Sequence, residues 1–351
     1  MKTKEVLEAL NIARSCLAQH PMIPILSHFC FTGKEIVTFN GTQGLSINFA
    51  SDLNCAIPGD IFYRLLSSFQ TETIQIEQKE KTIEVKSGEH VSKIAILAPT
   101  EFLFKMPSLE DARFFPINEE FIQGVDKCLM SVNDNPVIKN QYGITLDNKP
   151  GNTALYSTDT IRISKYSLQT PIAKGSFKVL LPKLFSALLA VLGKAYKTGD
   201  FFIGSDFVCA RFPSMMLYSK VVQDIKFLPF EENIKMYYNE KTELQPIPPE
   251  LYDTLNRALI FLSNELDQFV TVKVQGKEVS IHTRCTLGVM DETVTLSKPI
   301  PGKPFIFQMD AKYMEAGALV TTEMSFVYVN DTAAFVAKEG NFCYLLNSPN
   351  I

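Results

Sequence analysis

The chain has 351 residues, 46% of them apolar, and 34 basic against 38 acidic side chains give a formal charge of −4. That supports two or three domains with real cores and argues against a protein whose whole surface coats nucleic acid, while leaving room for one local basic face. There is no run of 18 apolar residues to span a membrane, and residues 1–20 lack the apolar centre of a signal peptide, so the expected location is the cytoplasm.

In chain order, the first predicted element is a helix over Thr3–Ala18. Val6, Leu10, Ala13 and Leu17 form one stripe of a 3.6-residue period, with Lys4, Glu8, Asn11 and Arg14 on the opposite face. A second short helix is expected over Pro58–Phe69. Alternation over Thr73–Glu77 and Lys81–Val85 predicts half-buried strands, and closing strands end near Lys93–Leu97. Met106–Ile117, with Pro107 and Pro116, reads as a connection. The order then repeats. Glu119–Val132 carries the stripe Phe121, Val125, Cys128, Leu129 and Val132, with Lys127 off it. Leu181–Ala195 is the second helix of this copy, and its strands close over Met216–Lys226. Phe230–Pro248, mixed and charged and ending in Pro246 and Pro248-Pro249, reads as a second connection, and neither connection is long or Gly/Ser-rich enough to be a floppy tether. A third copy opens with Pro249–Asn264, striped by Leu251, Leu255, Ala258, Leu259 and Leu262 with Arg257 off it. It continues through alternating Val270–Val274 and Glu278–His282, a helix over Met309–Leu319, and a last strand over Phe342–Leu346. Pro58, Pro182 and Pro249 stand at or near helix starts, where a missing N–H costs nothing. Gly88, Gly199, Gly276 and Asn330-Asp331 are expected in turns. Three copies of one α+β unit, at a period of roughly 115–130 residues, suggest a symmetric arc or ring more than a catalytic pocket. The domains fall at 1–110, 111–232 and 233–351.

Catalytic signatures are scarce. The four histidines, His20, His28, His90 and His282, stand at no metal-ligand spacing, and no phosphate-cradling glycine motif or nucleophile elbow occurs. Asp159 in Ser157-Thr158-Asp159 has no second carboxylate near it in sequence and reads as a turn residue. Seven cysteines without a CxxC pair read as reduced, buried thiols. No catalytic residue, metal site or cofactor is expected. A scaffold protein of repeated α+β units is the alternative to a ring-forming binding module.

Several segments resemble the bacterial DNA polymerase III beta subunit, the sliding clamp. After the first helix His20-Pro-Met-Ile-Pro-Ile-Leu26 is similar to that family's PxLPIL strand entry. Tyr156–Ile163 keeps the Thr, Asp and Arg of its ATDGHRL segment as Thr158, Asp159 and Arg162. Phe261-Leu-Ser-Asn-Glu265 is close to its ILSNE helix end, and Phe307–Tyr313 and Tyr344–Pro349 resemble its late helix entry and its tail. These run in family order along the whole chain. The family's Gly-His pair is Thr160-Ile161 here, and its terminal Met-Pro-Met is Asn347-Ser348-Pro349. Such drift is consistent with a divergent member encoded by a phage or mobile element.

The resemblance implies a DNA-clamp fold: three domains, each with two helices on antiparallel sheets, closing into a ring as a head-to-tail homodimer. It implies a non-catalytic processivity factor that encircles duplex DNA without reading sequence and tethers polymerase and clamp loader through short linear peptides. On that reading Arg14, Arg64, Lys127, Lys183, Lys194, Lys197, Arg257 and Lys312 face the DNA from helices, and His20 and Lys139 from loops. A partner-peptide cleft would comprise Thr158, Thr160, Arg162, Ile163, Pro229, Ile234, Leu345, Asn347 and Pro349, with Gln141 at its rim. Ile163, Pro229, Ile234 and Leu345 would form an apolar floor, and Thr158 and Arg162 would orient the peptide. Gln141 and Asn347 replace apolar family residues and make the cleft more polar. Phe104 (or Phe102), Phe261 and Leu262 would lie at the dimer junction.

Overall fold

A computed structural model describes residues 1–170, 172, 174–239, 241–286 and 288–348. Among them are seven α-helices: α1 Thr3–Ala13, α2 Gly59–Ser67, α3 Glu119–Cys128, α4 Lys183–Tyr196, α5 Phe230–Tyr237, α6 Pro249–Phe261 and α7 Ala311–Leu319. The chain forms two compact units. One comprises Met1–Ile122 with Ala187–Gln223, the other Gln123–Ser186 with Asp224–Ile351. The middle third of the chain therefore contributes to both.

Unit 1 holds an eight-stranded antiparallel sheet. From edge to edge it runs Asn54–Pro58, His28–Thr32, Glu35–Phe39, Gln43–Asn48, Met215–Lys220, Phe207–Phe212, Gly199–Ile203 and Arg113–Ile117. The first four strands come from the first third of the sequence and the last four from the second. They join where Leu45 faces Leu217. Three further strands, Gln75–Gln78, Thr82–Ser87 and His90–Ala95, form a separate sheet. The α1 stripe is as its spacing predicts: Val6, Leu10 and Ala13 are buried and Arg14 is exposed. Helix α1 is shorter than expected and passes into a 3₁₀ turn at Arg14–Cys16, a common way for a helix to end.

Unit 2 repeats the plan. Its eight-stranded sheet runs Phe177–Pro182, Gly143–Lys149, Asn152–Thr158, Arg162–Leu168, Phe342–Asn347, Thr332–Glu339, Glu323–Val329 and Gln245–Pro246, and its two halves join where Ile163 faces Leu345. A four-stranded sheet, Gly288–Thr295, Glu278–Cys285, Phe269–Gln275 and Phe305–Asp310, accompanies it. Helix α7 packs close to the large sheet. A Cβ on Gly317 would sit 2.5 Å from the Tyr344 ring, so only glycine allows that approach.

The two connections carry structure of their own: Arg113–Ile117 in the first is a strand, and in the second Phe230, Ile234 and Tyr237 recur at i, i+4, i+7 and bury one face of α5. Gly199 opens a strand instead of a turn. A Cβ there would meet the Arg211 carbonyl at 2.5 Å, so its role is close strand approach. Gly88, Gly276, Asn330 and Asp331 do lie in turns with positive φ. All seven cysteines are unpaired thiols, and six are buried.

Candidate nucleic-acid and partner interfaces

Arg64, Arg257, Lys183 and Lys127 are held in ion pairs, the first two at exposed positions. Arg64 lies 3.4 Å from Asp60 one turn earlier on α2. Arg257 donates from Nε to Glu292 (2.7 Å) and from Nη2 to the same carboxylate (2.5 Å). Lys183 pairs with Asp134, and that bond holds the carboxyl below its ordinary range. Lys127 pairs with Glu339, and its ammonium lies 5.1 Å over the Phe342 ring. Lys127 and Lys183 are thus half-buried and committed to their own sheet and loop. The others are exposed: Arg14, His20, Lys139, Lys194, Lys197 and Lys312. Arg14 stacks 4.5 Å over Tyr63 and, with His20, Ser27 and Asp60, lines a cavity of about 540 Å³. His20 and Lys197 adopt φ of 54° and 62°. Lys197 ends α4 by donating its N–H to the Gly193 carbonyl, a left-handed C-terminal cap.

The residues assigned to the cleft gather at the central seam of the unit 2 sheet. Ile163, Ile234 and Leu345 meet in one apolar cluster with Tyr156, Phe230 and Cys343, and α5 covers it. Their exposures of 5%, 4% and 0% make them sheet and helix core in this conformation. The turn between Asn152–Thr158 and Arg162–Leu168 is held from inside. Thr158 Oγ1 donates to the Arg162 carbonyl (2.7 Å) and accepts from the Thr160 N–H (3.0 Å). Asp159 accepts from the Ile161 and Arg162 N–H groups and from Arg162 Nε (2.8 Å). Thr158 and Arg162 therefore spend their hydrogen bonds on the turn. The Arg162 guanidinium also stacks 3.8 Å from the Tyr313 ring. Burial alone would lower the Arg162 pKa, but Tyr344 and Asp159 outweigh it and raise it. Thr160 carries φ 82°, a conformation costly for a β-branched residue, at the position where the resembled family has glycine.

Asn347 lies beside this turn, its N–H donating to the Ile161 carbonyl, and its buried Oδ1 has no hydrogen-bond partner among the described residues. Pro229 is exposed at the start of α5. Gln141 is buried and accepts from Asn133 Nδ2 (2.8 Å), and the neighbouring Asn140 reaches the Lys226 carbonyl ahead of α5. Pro349 lies outside the described residues. Glu231 on α5 accepts from Tyr156 Oη and Lys165 Nζ, both at 2.5 Å. Burial pushes this carboxyl up, but those two donors together hold it below its ordinary value.

The junction residues have intrachain roles. Phe104 stacks on Phe39 (4.1 Å, 5°), and Phe102 is buried. Leu262 is 3% exposed, and Phe261 is half-buried. The exposed apolar groups around them are Leu103, Ile260, Leu266 and Val289, which no periodic pattern marked. No helix among the described residues is long and apolar enough to cross a membrane. Among the same residues, no group of three His, Cys, Asp or Glu side chains is placed to hold a metal ion.

No protein-family model matches the chain, and no curated protein matches it by sequence. Solved structures do match over its whole length. DNA polymerase III beta subunit from Thermotoga maritima superposes with a TM-score of 0.83 at 16% identity, covering 100% of this chain and 98% of its own. The DNA polymerase sliding clamp from Bacillus subtilis gives 0.85 at 13% identity, with the same coverages. The Pseudomonas aeruginosa sliding clamp bound to griselimycin gives 0.83 at 17% identity, again over 100% and 98%. The chain therefore has the fold of these clamps.

Proposed function

We propose that the chain is a DNA sliding clamp, a processivity factor that encircles duplex DNA and acts by tethering other proteins. The observation that carries this reading is the full-length match to DNA polymerase III beta subunits, with 98% or more of each chain covered. The divisions at 1–110, 111–232 and 233–351 are then three clamp domains.

The sheets support a ring of two copies. Each eight-stranded sheet joins four strands from one third of the sequence to four from the next. Two joining strands, Gln43–Asn48 and Arg162–Leu168, follow equivalent hairpins, and each pairs with the closing strand of the next third. By the same rule Gly288–Thr295 awaits the closing strand of a first third, His90–Ala95, from a second copy. Each is the outer strand of its small sheet among the described residues. Two such contacts close a ring head to tail. Phe104, Phe261 and Leu262 would support this junction from behind.

Arg14, His20, Lys139, Lys194, Lys197 and Lys312 would supply sequence-independent phosphate contacts. Arg64, Lys127, Lys183 and Arg257 would contribute only as their ion pairs open. Partner peptides of polymerase and loader would enter at Thr158, Thr160, Arg162, Pro229 and Asn347, reaching Ile163, Ile234 and Leu345 as α5 shifts. Asn347 Oδ1, without a partner among the described residues, is an acceptor for a peptide N–H, and a clamp of this fold that holds griselimycin supports ligand binding. DNA replication in the cytoplasm is the setting that follows. Solution scattering with mass measurement tests the assembly: a hollow dimer of twice 39.4 kDa is expected, and a compact monomer at micromolar concentration or an open filament would refute it.

A further inference from the structure

The far edge of the unit 2 sheet is only partly covered. Along Glu323–Val329, Ser325 to Val329 pair with Thr332–Val336 on one side. On the other side only Glu323 and Met324 pair, with Pro246 and Gln245. Among the described residues the outer edge of Ser325–Val329 thus has no strand beside it, a run of about 17 Å at strand rise. The equivalent edge in unit 1 is filled by the chain itself, since Arg113–Ile117 pairs with all five residues of Gly199–Ile203. The fold accepts a strand in this slot and, among the described residues, fills only two positions of it in unit 2.

A cavity of about 580 Å³ lies against the open edge. Ser325 and Val327 form one wall, Phe305 and Tyr328 stack at 5.2 Å beside it, and Lys241 and Lys303 flank it. It adjoins a second cavity of about 640 Å³ that shares Asn239 and Lys241 and adds Lys165 and Lys235. Lys165 is spent on Glu231. Lys235, Lys241 and Lys303 hold no carboxylate in an ion pair among the described residues, so the groove is locally positive in a chain of net charge −4.

We infer that this edge takes an extended acidic segment of a partner protein as an added strand. An open edge supplies main-chain hydrogen bonds, and alternate side chains of the incoming strand would meet the lysines and the Phe305–Tyr328 stack. Nucleic acid fits less well. The groove is lined from both faces of the edge, by Ser325 and Val327 on the α5 face and by Phe326 and Tyr328 on the face where Tyr344 meets α7. Glu231 and Glu243 also line it, which suits separated carboxylates better than a continuous phosphate chain.

The test uses the full chain and a fluorescein-labelled peptide of alternating Glu and Val, followed by anisotropy. Binding is expected with protection of the Ser325–Val329 amides in hydrogen exchange. Lys241→Glu with Lys303→Glu should weaken it roughly tenfold or more, and raised salt should weaken it too. The same peptide N-methylated on alternate residues keeps its charge but cannot complete the ladder, and it should lose binding. Absence of binding at millimolar peptide would overturn the inference and mark the lysines as edge guards. Equal binding of the N-methylated peptide, or displacement by an equal concentration of single-stranded oligonucleotide, would also overturn it. Dimer formation is untouched by these variants, so failure here is distinguishable from failure of the clamp reading.

Discussion

The two large sheets share one plan and differ in what covers them. In unit 1 the connection after residue 101 lays rings on the sheet: Phe104 stacks on Phe39 and reaches Tyr218 at 5.2 Å, leaving Phe104 half-buried. In unit 2 the corresponding connection folds into α5, which buries Phe230 and Ile234 against the central seam and stacks Phe230 on Tyr156 at 5.0 Å. Unit 1 also completes its far edge with a five-residue strand, where unit 2 spends only two residues. The repeated sheet is thus the constant part of the architecture. The connections and edges are where one copy becomes different from another, and they are where partner binding is proposed.

The largest expected effect comes from exchanging the covers. Phe230→Ala removes a buried ring and should cost about 3–4 kcal/mol, whereas Phe104→Ala, half-exposed, should cost about 1–2 kcal/mol. Chemical denaturation compares them directly, and equal costs would mean that the two covers are energetically alike.

Acid should separate the units next. His28 in unit 1 is buried, and burial lowers its pKa despite the Pro24 carbonyl 3.0 Å from Nδ1. Its stability contribution is full above the unfolded value of about 6.5 and is lost as pH falls through the folded one. Glu231 in unit 2 is also depressed, and its contribution is lost only on falling below about 4.3. Hydrogen exchange on acidification should therefore open the region around His28 before α5. His28→Gln should delay the first loss and Glu231→Gln should flatten the second. Simultaneous opening would contradict the assignment.

The smallest effect sharpens the turn at the unit 2 seam. Thr160 at φ 82° should be relieved by Thr160→Gly, a gain of about 0.5–1 kcal/mol after the greater freedom of unfolded glycine is set against it. Melting temperature reads this, and a lower one would mean that the threonine side chain is held by contacts stronger than its strain.

Much of this plan was legible in the sequence because it rests on local periodicity. The stripes of α1, α3 and α6 bury Leu10, Val125 and Leu255 as their spacing requires, and the resemblance through Phe261–Glu265 and Tyr156–Ile163 pointed to the clamp fold that the whole chain adopts. Helix α5 was missed because it is eight residues long, carries two glutamates in its first turn and has only three buried positions. The engagement of Lys127 and Lys183 could not be read, since their partners Glu339 and Asp134 lie 212 and 49 residues away in the chain. Burial of Ile163 and Leu345 under α5 depends on that same unseen helix. Edge pairing, which distinguishes Gly199–Ile203 from Glu323–Val329, is set by partners distant in sequence and left no local signal.

The central claim is that the chain acts by encircling DNA, and retention on DNA of different topology tests it most directly. Loaded onto a nicked circular duplex and passed through a sizing column at moderate salt, the protein should stay with the circle and be released when one cut makes the DNA linear. Joint charge reversal at Arg14, Lys139, Lys197 and Lys312 should reduce loading while the dimer persists. Equal retention on circular and linear DNA, or retention set by sequence, would contradict the account.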